Sequence, residues 1–186
     1  MAKIGVGLIG CGGRLRGVAR NVLTCCDDIE VRALCDPNED SIRAARDHLS
    51  LNGAARVCRT PQELASAADI DWVMIGSWNC FHREHVEAAF AAGRHVFCEK
   101  PLATTIDDCL AMRDAWRAAG KQFVIGFTLR YSPHYRKIKE VLDSGAIGDI
   151  VSLEFNETLH FCHGGYIHGD WRRLVQNAGT HLLEKC

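Results

Sequence analysis

The sequence lacks a long hydrophobic run and an excess of charge of either sign. Its start, MAKIGVGLIG, has one lysine and an apolar run broken by glycines, so it has neither the h-region nor the cleavage site of a signal peptide. No stretch is long enough to span a membrane. The formal net charge of −1 gives no support to a nucleic-acid or anionic-membrane partner. These absences predict a cytoplasmic protein with no membrane and no nucleic acid among its partners.

Cysteine is abundant, but the spacing used by redox and zinc motifs is missing. The chain has ten cysteines, and no C-x-x-C pair occurs in it. A chain of 186 residues, 47% of them hydrophobic, can bury a core without a disulfide framework. We therefore expect reduced thiols, several of them acting as small hydrophobic side chains in apolar or element-forming stretches. The cysteines in such stretches are Cys11, Cys35, Cys98 and Cys109.

Apolar runs alternate with helical patterns through residues 1–127. Nearly continuous apolar strands separated by helices are typical of a parallel sheet covered on both faces. Six strands with five crossovers are the count of a complete doubly wound nucleotide-binding unit, so we predict an α/β fold with a Rossmann sheet. The predicted strands are 4–9, 30–35, 56–58, 71–75, 94–98 and 122–126, and the predicted helices are 16–25, 40–51, 61–68, 81–92 and 106–119.

The pattern changes after residue 127. A helix is predicted over 133–144, and a strand over 149–158, where Val151, Leu153 and Phe155 alternate at period two. This strand does not continue the earlier alternation, so we expect it to open an α+β domain, which the residues after it are too few to complete. The predicted domains are a dinucleotide-binding domain at 1–127 and an incomplete substrate and oligomerisation domain at 128–186.

The glycine-rich stretch behind the first strand has the context of a dinucleotide fingerprint. Gly10 and Gly12 follow a strand and open a helix, and Asp36 ends the second strand. We expect Gly10 to make the tight turn and Gly12 to let the backbone approach a pyrophosphate, which the N–H groups of the helix would face. A carboxylate at Asp36 would bind ribose hydroxyls and repel a 2′-phosphate, which favours NAD over NADP as the cofactor.

The fingerprint is imperfect at its third position. Leu15 stands where the third glycine is expected, with Gly13 and Gly17 on either side. Either the loop is longer than the standard one or the helix lies further from the strand. We assign Gly13 and Arg14 to the coenzyme site. For the side chains of Arg14 and Arg16 two alternatives remain: they contact phosphate, or they are solvated. The alternative for the whole stretch is a glycine-rich turn without a ligand.

Polar residues also follow the fourth predicted strand, at the edge where such sheets bind ligands. We assign Ser77, Asn79 and His82 to the coenzyme site. Asn79 also suits a helix cap, and a lone histidine such as His82 is more often a surface or capping residue.

Glu99 and Lys100 follow the fifth predicted strand and are assigned to the same site. Pro101 bars a simple continuation of that strand. A lysine near a bound nicotinamide can donate a hydrogen bond to a reacting hydroxyl oxygen and stabilise the negative charge that develops there. Lys100 is therefore both a coenzyme-site and a substrate-site candidate.

Together these motifs resemble the Gfo/Idh/MocA oxidoreductase family. The G-x-G loop, N-x-x-H from Asn79, and AGRHVFCEKP, which ends at Pro101, carry the resemblance, which continues through RYSPHYRKIKEVLDSGAIGDI and covers essentially the whole chain. Trp78 stands where the family often has proline. The resemblance implies an NAD(P)-dependent enzyme of two domains that oxidises a sugar or polyol hydroxyl and forms homo-oligomers when full length.

The resemblance also implies roles for single residues. Lys100 matches the family's catalytic lysine, and Asp36 matches its adenosine-ribose acid. Glu184 matches the acid of the second catalytic segment, whose histidine would fall at position 188, beyond the sequence. The resemblance therefore implies a C-terminally truncated member in which Lys100 and Glu184 are catalytic and the general base is missing.

A polar stretch, HFCHGGYIHGDWRR, precedes Glu184. Its histidines and cysteine match no standard zinc spacing, so we predict no metal. We expect a loop over the substrate pocket, because arginine donates a planar fork and tryptophan offers an apolar face to a sugar. The alternative is a loop buried against the rest of its domain. The residues weighed for zinc are His160, Cys162, His163 and His168, and the predicted substrate-binding residues are Lys100, Arg130, Trp171 and Arg172.

Three functions fit these residues. The first is an NAD(P)-dependent dehydrogenase in which Lys100 holds the hydroxyl oxygen while hydride leaves for nicotinamide. The second is an NAD-dependent glycosidase of the same family, because GCGGRLRG also resembles the G-G-R-G-R-G loop of those enzymes. The third is a truncated module that binds NAD without turnover and exposes the edge of the 149–158 strand.

Overall fold

The fold is described from a computed structural model that covers residues 3–51, 53–156, 158, 160, 165, 168–169 and 171–185. Its strands are β1 (Ile4–Ile9), β2 (Ile29–Cys35), β3 (Arg56–Val57), β4 (Trp72–Ile75), β5 (His95–Cys98) and β6 (Phe123–Ile125). The helices are α1 (Gly13–Cys25), α2 (Glu39–His48), α3 (Pro61–Ser66), α4 (His82–Ala91), α5 (Ile106–Ala119), α6 (Pro133–Asp143), α7 (Val175–Ala178) and α8 (His181–Lys185), with 3-10 turns at Asn79–Phe81 and Thr128–Tyr131.

All strand pairs are parallel, in the order β3-β2-β1-β4-β5-β6. The order reverses between β1 and β4, which makes the sheet doubly wound and opens a crevice at that point. The predicted α/β class and Rossmann sheet are confirmed. The predicted helices reappear with ends that differ by a few residues, and α7 and α8 were not foreseen.

Two apolar clusters cover the two faces of the sheet. Along β4, Val73 and Ile75 belong to one cluster and Met74 to the other, because successive side chains of a strand point to opposite faces. Helices α3, α4 and α5 complete the first cluster, and α1 and α2 the second. Each fully buried aliphatic side chain contributes about 1.5–3 kcal/mol, so these clusters hold the carboxyl edge of the sheet in place.

The cysteines that the structure describes are free thiols. Burial raises the pKa of Cys11 to about 12 and that of Cys35 to about 11. These thiols stay protonated and poorly nucleophilic at neutral pH, since the thiolate is the reactive form. They act as small core side chains, as the sequence predicts.

The chain beyond β6 differs from the prediction in one respect. The helix predicted at 133–144 is present as α6, but residues 149–156 form no strand. Val151, Leu153 and Phe155 are 95%, 80% and 65% exposed, and the described part of the chain offers these residues no neighbouring strand. The prediction of a strand is wrong here. Alternating apolar and polar residues favour a strand, but a strand forms only when a neighbouring strand accepts and donates its backbone hydrogen bonds. The domain division at residue 127 stays a prediction.

Within the residues that the structure describes, no helix has both the length and the apolar character that a membrane crossing requires.

Candidate active site

The carboxyl ends of neighbouring strands lie at one level along the sheet edge. Ile9, Ile75 and Cys98 are register partners across β1, β4 and β5. The residue that follows each strand continues the ladder: Gly76 N donates to Ile9 O and Glu99 N donates to Ile75 O, both at 2.9 Å. The structure therefore brings three stretches that the sequence predicts as functional to one edge of the sheet.

Two glycines of the first loop have different reasons to be glycine. Gly10 has a φ of +82°, and a Cβ on it would lie 2.4 Å from Ser77 N, so the fold itself requires glycine there. A Cβ on Gly12 would meet none of the described atoms within 4 Å. The space over Gly12 is open, and a group larger than a methyl can approach the backbone there.

The close helix–strand contact that the third glycine of the fingerprint would allow is made by a glycine after β4. Leu15 is fully buried, and a Cβ on Gly76 would lie 2.7 Å from Leu15 Cβ. The contact between helix and strand is close because the small residue follows β4 instead of standing in α1. Neither a longer loop nor a more distant helix is needed to explain Leu15.

The start of α1 has the features of an anion-binding helix end. Gly12 is the N-cap of α1. Among the described residues, no side chain caps this helix end, and its first turn contains no acidic residue. The N–H groups of the first turn have no intrahelical acceptor and point out of the helix end. Together with the helix dipole they favour a phosphate beside the open backbone of Gly12.

Asp36, at the end of β2, braces this loop. Its Oδ2 accepts from Cys11 N at 2.6 Å and its Oδ1 accepts from Asn38 N at 2.8 Å. The carboxylate thus lies beside the glycine loop, and the residues that follow, PNED, add two further acids. The local charge at this end of the crevice is negative.

Arg14 and Glu99, predicted separately, form an ion pair. Arg14 Nε lies 3.0 Å from Glu99 Oε1, and Arg14 Nη2 donates to Thr128 Oγ1 at 3.0 Å. Glu99 is buried, and a buried carboxylate needs such a partner. The pair joins the glycine loop to the end of β5 and to the 3-10 turn that contains Thr128.

The two predicted catalytic residues are neighbours. Lys100 Nζ donates to the carbonyl oxygen of Glu184 at 2.7 Å. The Glu184 side chain is buried, and Asn79 Nδ2 donates both to its Oε2 at 2.8 Å and to Ala178 O at 2.9 Å. Arg172 Nε lies 3.5 Å from Glu184 Oε1. Asn79 therefore holds the Glu184 segment and does not act as a helix cap.

Aromatic stacking fixes the same segment to the 3-10 turn after β4. The Trp171 and Trp78 rings stack at 5.3 Å with 11° between their planes, and Arg172 Cζ lies 4.2 Å above the Trp171 ring. The φ of Trp78 is −64°, a value that proline also adopts, so the backbone at this position is compatible with proline. Arg130 is exposed on its own 3-10 turn, with Cζ 5.2 Å from the Phe127 ring centroid.

The two histidines of α4 lie below the edge, His82 buried and His85 partly buried. His82 is 1% exposed and both of its ring nitrogens contact backbone carbonyls, so the surface alternative for His82 is wrong. Ser77 Oγ lies 2.9 Å from His85 Nδ1, and burial lowers the pKa of His85 to about 4. The sequence analysis missed His85, although its i, i+3 spacing from His82 places both on one helix face.

Among the described residues, no three His, Cys, Asp or Glu side chains converge as metal ligands. Cys162 and His163, weighed above for zinc, lie outside the described residues, and His160 and His168 are exposed.

Comparison with known proteins identifies relatives of this chain over the region that contains the sheet and its carboxyl edge. Residues 4–127 match the model of the Gfo/Idh/MocA oxidoreductase family with its NAD-binding Rossmann fold. An inositol 2-dehydrogenase of Gluconacetobacter diazotrophicus is 39% identical over 151 residues, which are 81% of this chain and 44% of that protein. One from Ralstonia nicotianae is 38% identical over 179 residues, 96% of this chain and 50% of that protein. The chain thus spans about half the length of these curated relatives.

A solved structure is similar over the same region. The scyllo-inositol dehydrogenase from Lactobacillus casei with bound NAD(H) and scyllo-inositol superposes with a TM-score of 0.70 at 30% identity, over 80% of this chain and 43% of that one. The match over residues 4–127 and the identity to these relatives show that the chain belongs to the Gfo/Idh/MocA oxidoreductase family with its NAD-binding Rossmann fold.

Proposed function

We propose that this chain supplies the coenzyme-binding region and the catalytic lysine of an NAD-dependent dehydrogenase. The enzyme would transfer hydride between a hydroxyl-bearing carbon of a polyol of the inositol class and nicotinamide. One observation carries the proposal: the open backbone at Gly12 and the uncapped start of α1 share a sheet edge with Lys100. The inositol dehydrogenases among the relatives support the substrate class and do not favour the glycosidase alternative.

The residues present fit a dinucleotide. The space over Gly12 admits a pyrophosphate to the first-turn N–H groups of α1, and Gly13 leaves similar room, with Arg16 as the nearest side chain. In this proposal Asp36 would accept from ribose hydroxyls, and the next acids are Glu39 and Asp40. No basic residue occurs between positions 36 and 42, so nothing in this stretch offsets the repulsion of a 2′-phosphate.

The chain's own residues hold and polarise the substrate. When bound, the coenzyme supplies the acceptor for hydride. The Lys100 ammonium group, at the end of β5, would donate to the hydroxyl oxygen and stabilise the negative charge that grows on it. The hydroxyl proton would pass to the general base that the family resemblance assigns to position 188, which the 186-residue sequence does not include. Glu184 keeps the ammonium group in place through its carbonyl oxygen, and Arg172 lies against the Glu184 carboxylate at the same edge. Trp171 and Arg130 complete the proposed set of substrate residues.

Calorimetric titration with NADH tests the coenzyme site on the 186-residue chain. Gly12→Ala is compared with Gly17→Ala, because a Cβ meets open space at both positions while only Gly12 caps the proposed phosphate site. We expect Gly12→Ala to weaken binding by about tenfold or more, because the methyl group breaks charged hydrogen bonds to phosphate. Gly17→Ala should bind as the parent does. Absence of binding by the folded parent, or equal loss in both variants, contradicts the proposal.

The preference for NAD is tested by the same titration with NADPH. The acids at the end of β2 should make NADPH bind at least about tenfold more weakly than NADH, since the 2′-phosphate adds charge beside Asp36. Equal affinities would remove the reason to assign NAD.

The substrate class needs a turnover assay. NADH formation with myo-inositol or scyllo-inositol supports a dehydrogenase, whereas cleavage of glycosides without net NADH points to the glycosidase. Tight NADH binding without turnover on any polyol supports the binding module. A cytoplasmic location, a homo-oligomer and the absence of a nucleic-acid partner remain predictions of the sequence.

A further inference from the structure

One buried side chain below the site has contacts that the proposed reaction does not use. His82 opens α4, and its Nδ1 lies 2.9 Å from Pro101 O and 3.3 Å from Leu102 O. On the other side of the ring, Nε2 lies 3.1 Å from Ser77 O. The ring is 1% exposed, so water does not compete for these contacts.

The carbonyl groups around this ring belong to two loops that carry the site. Ser77 leads from β4 towards Asn79, and Pro101 directly follows Lys100. A carbonyl oxygen only accepts hydrogen bonds, so any hydrogen bond made here is donated by the imidazole ring. A neutral imidazole carries one N–H, and the shorter contact, 2.9 Å to Pro101 O, assigns it to Nδ1. The ring therefore donates to the loop after Lys100 and packs with Nε2 against Ser77 O, and neither nitrogen points at a ligand.

Lys100 lies between two restraints of different kinds. On its N-terminal side, the Glu99 carboxylate pairs with Arg14 at 3.0 Å. On its C-terminal side, the Pro101 carbonyl group contacts His82. The first restraint fixes the turn to the glycine loop, and the second fixes it to the start of α4, beside the end of β4.

We propose that His82 is a positioning residue, which holds the Lys100–Pro101 turn against the end of β4 and so sets where Lys100 Nζ lies. The catalytic meaning of this position rests on the proposed function, in which Lys100 polarises the substrate hydroxyl group. The assignment replaces the expectation that the His82 ring contacts the coenzyme. It differs from simple core packing, which a leucine of similar volume would also satisfy.

Three variants separate these meanings. His82→Asn puts its side-chain N–H donor close to the position of Nδ1 and so keeps the hydrogen bond to Pro101 O. His82→Gln places its donor near Nε2 and keeps only the contact to Ser77. His82→Leu keeps volume and loses both. The readout is the rate at which acetic anhydride labels Lys100 in the 186-residue chain, measured by mass spectrometry with Lys121 and Lys137 as internal references.

We expect His82→Leu and His82→Gln to speed labelling of Lys100 about fivefold, the factor that corresponds to loss of one ordinary hydrogen bond, as the turn releases Nζ from Glu184 O. His82→Asn should label at the parent's rate, and the reference lysines should not change. A folded His82→Leu with the parent's Lys100 rate overturns the proposal. If His82→Leu does not fold, equal rates in the Asn and Gln variants overturn it.

A parallel NADH titration keeps this proposal distinct from the coenzyme site. His82→Leu should bind NADH within about twofold of the parent, because the polar contacts of the ring go to Pro101, Leu102 and Ser77, which lie outside the first glycine loop. A parent chain that binds no NADH defeats the proposed function, while the labelling rates still decide the role of His82. Loss of NADH binding in His82→Leu with an unchanged Lys100 rate returns the ring to the coenzyme site and defeats the positioning role.

Discussion

The sheet unit and the chain that follows it bury their apolar side chains to very different extents. Up to β6, the strands and helices share two continuous clusters on the faces of one sheet. From residue 127 on, the buried residues that the structure describes are Ala178 and Glu184, while Ile147, Ile150 and Val151 are exposed. The first region carries its own core, and the second has no comparable core among its described residues.

The second region joins the first through the site itself. Asn79 and Lys100 both hold Glu184, and Trp78 stacks on Trp171. Polar and aromatic contacts at the carboxyl edge therefore hold the carboxyl-terminal segment in place, whereas apolar burial stabilises the sheet. The side chains that attach this segment include ones to which the proposed function gives a part in chemistry, so substitutions in the two regions should differ in kind.

The largest effect is expected in the core of the sheet. Ile75, at the end of β4, is fully buried, so Ile75→Ala removes methyl groups from a packed cluster and leaves a cavity. We expect the free energy of unfolding to fall by about 3–4 kcal/mol. Urea denaturation followed by far-ultraviolet circular dichroism measures it. A fall in the free energy of unfolding of less than about 1 kcal/mol would mean that the sheet unit is not the more tightly packed of the two regions.

The next effect is a loss of stability in acid that arises in the sheet unit. Burial lowers the pKa of His85 from its ordinary 6.5 to about 4, so between these values the unfolded chain binds more protons. The stabilisation is complete above about pH 6.5 and is lost as pH falls towards 4, by about 1–3 kcal/mol.

Denaturation at a series of pH values measures this slope. His85→Gln should make it shallower and leave the part that comes from His82, whose pKa burial also lowers. His134→Gln, on exposed α6, is the matched control. Equal slopes in the parent and His85→Gln would show that His85 is not the titrating group.

A smaller, local effect tests how the second region is attached. Asn79→Ala leaves the buried Glu184 carboxylate without one donor, which costs about 1–3 kcal/mol in the docked state. Amide hydrogen exchange should become about tenfold faster across residues 171–185 and stay unchanged in β1 and β2. The matched change Asn38→Ala removes the cap of α2 and should leave 171–185 as they are. Unchanged exchange in that segment after Asn79→Ala would show that other contacts hold it.

The sequence predicts the sheet well because its strands are buried on both faces. A strand such as Ile4–Ile9 is almost continuously apolar, and that pattern does not depend on which strand lies beside it. The prediction at 149–158 depends on a pairing partner, which alternation does not supply. Local pattern is therefore a sufficient guide inside the sheet unit and an insufficient one beyond it.

The candidate site is predictable in its members and less so in its contacts. The resemblance implies catalytic roles for Lys100 and Glu184, and the structure brings these two residues into contact. The closeness of Leu15 to Gly76 and the burial of His82 depend on residues distant in sequence. Such contacts follow from strand order, which a single sequence does not state, so the roles of these residues emerge only with the fold.

The smallest effect is expected where the same chemical change is made in the second region. Ile138 is 43% exposed on α6, and residues 133–143 include no buried position, so Ile138→Ala opens no cavity. Alanine is also the better helix former, so the free energy of unfolding should change by less than about 0.5 kcal/mol. Urea denaturation beside Ile75→Ala gives the contrast directly. A loss of about 2 kcal/mol or more at Ile138 would mean that α6 packs on an apolar surface in solution, and the two regions would then share one kind of stabilisation.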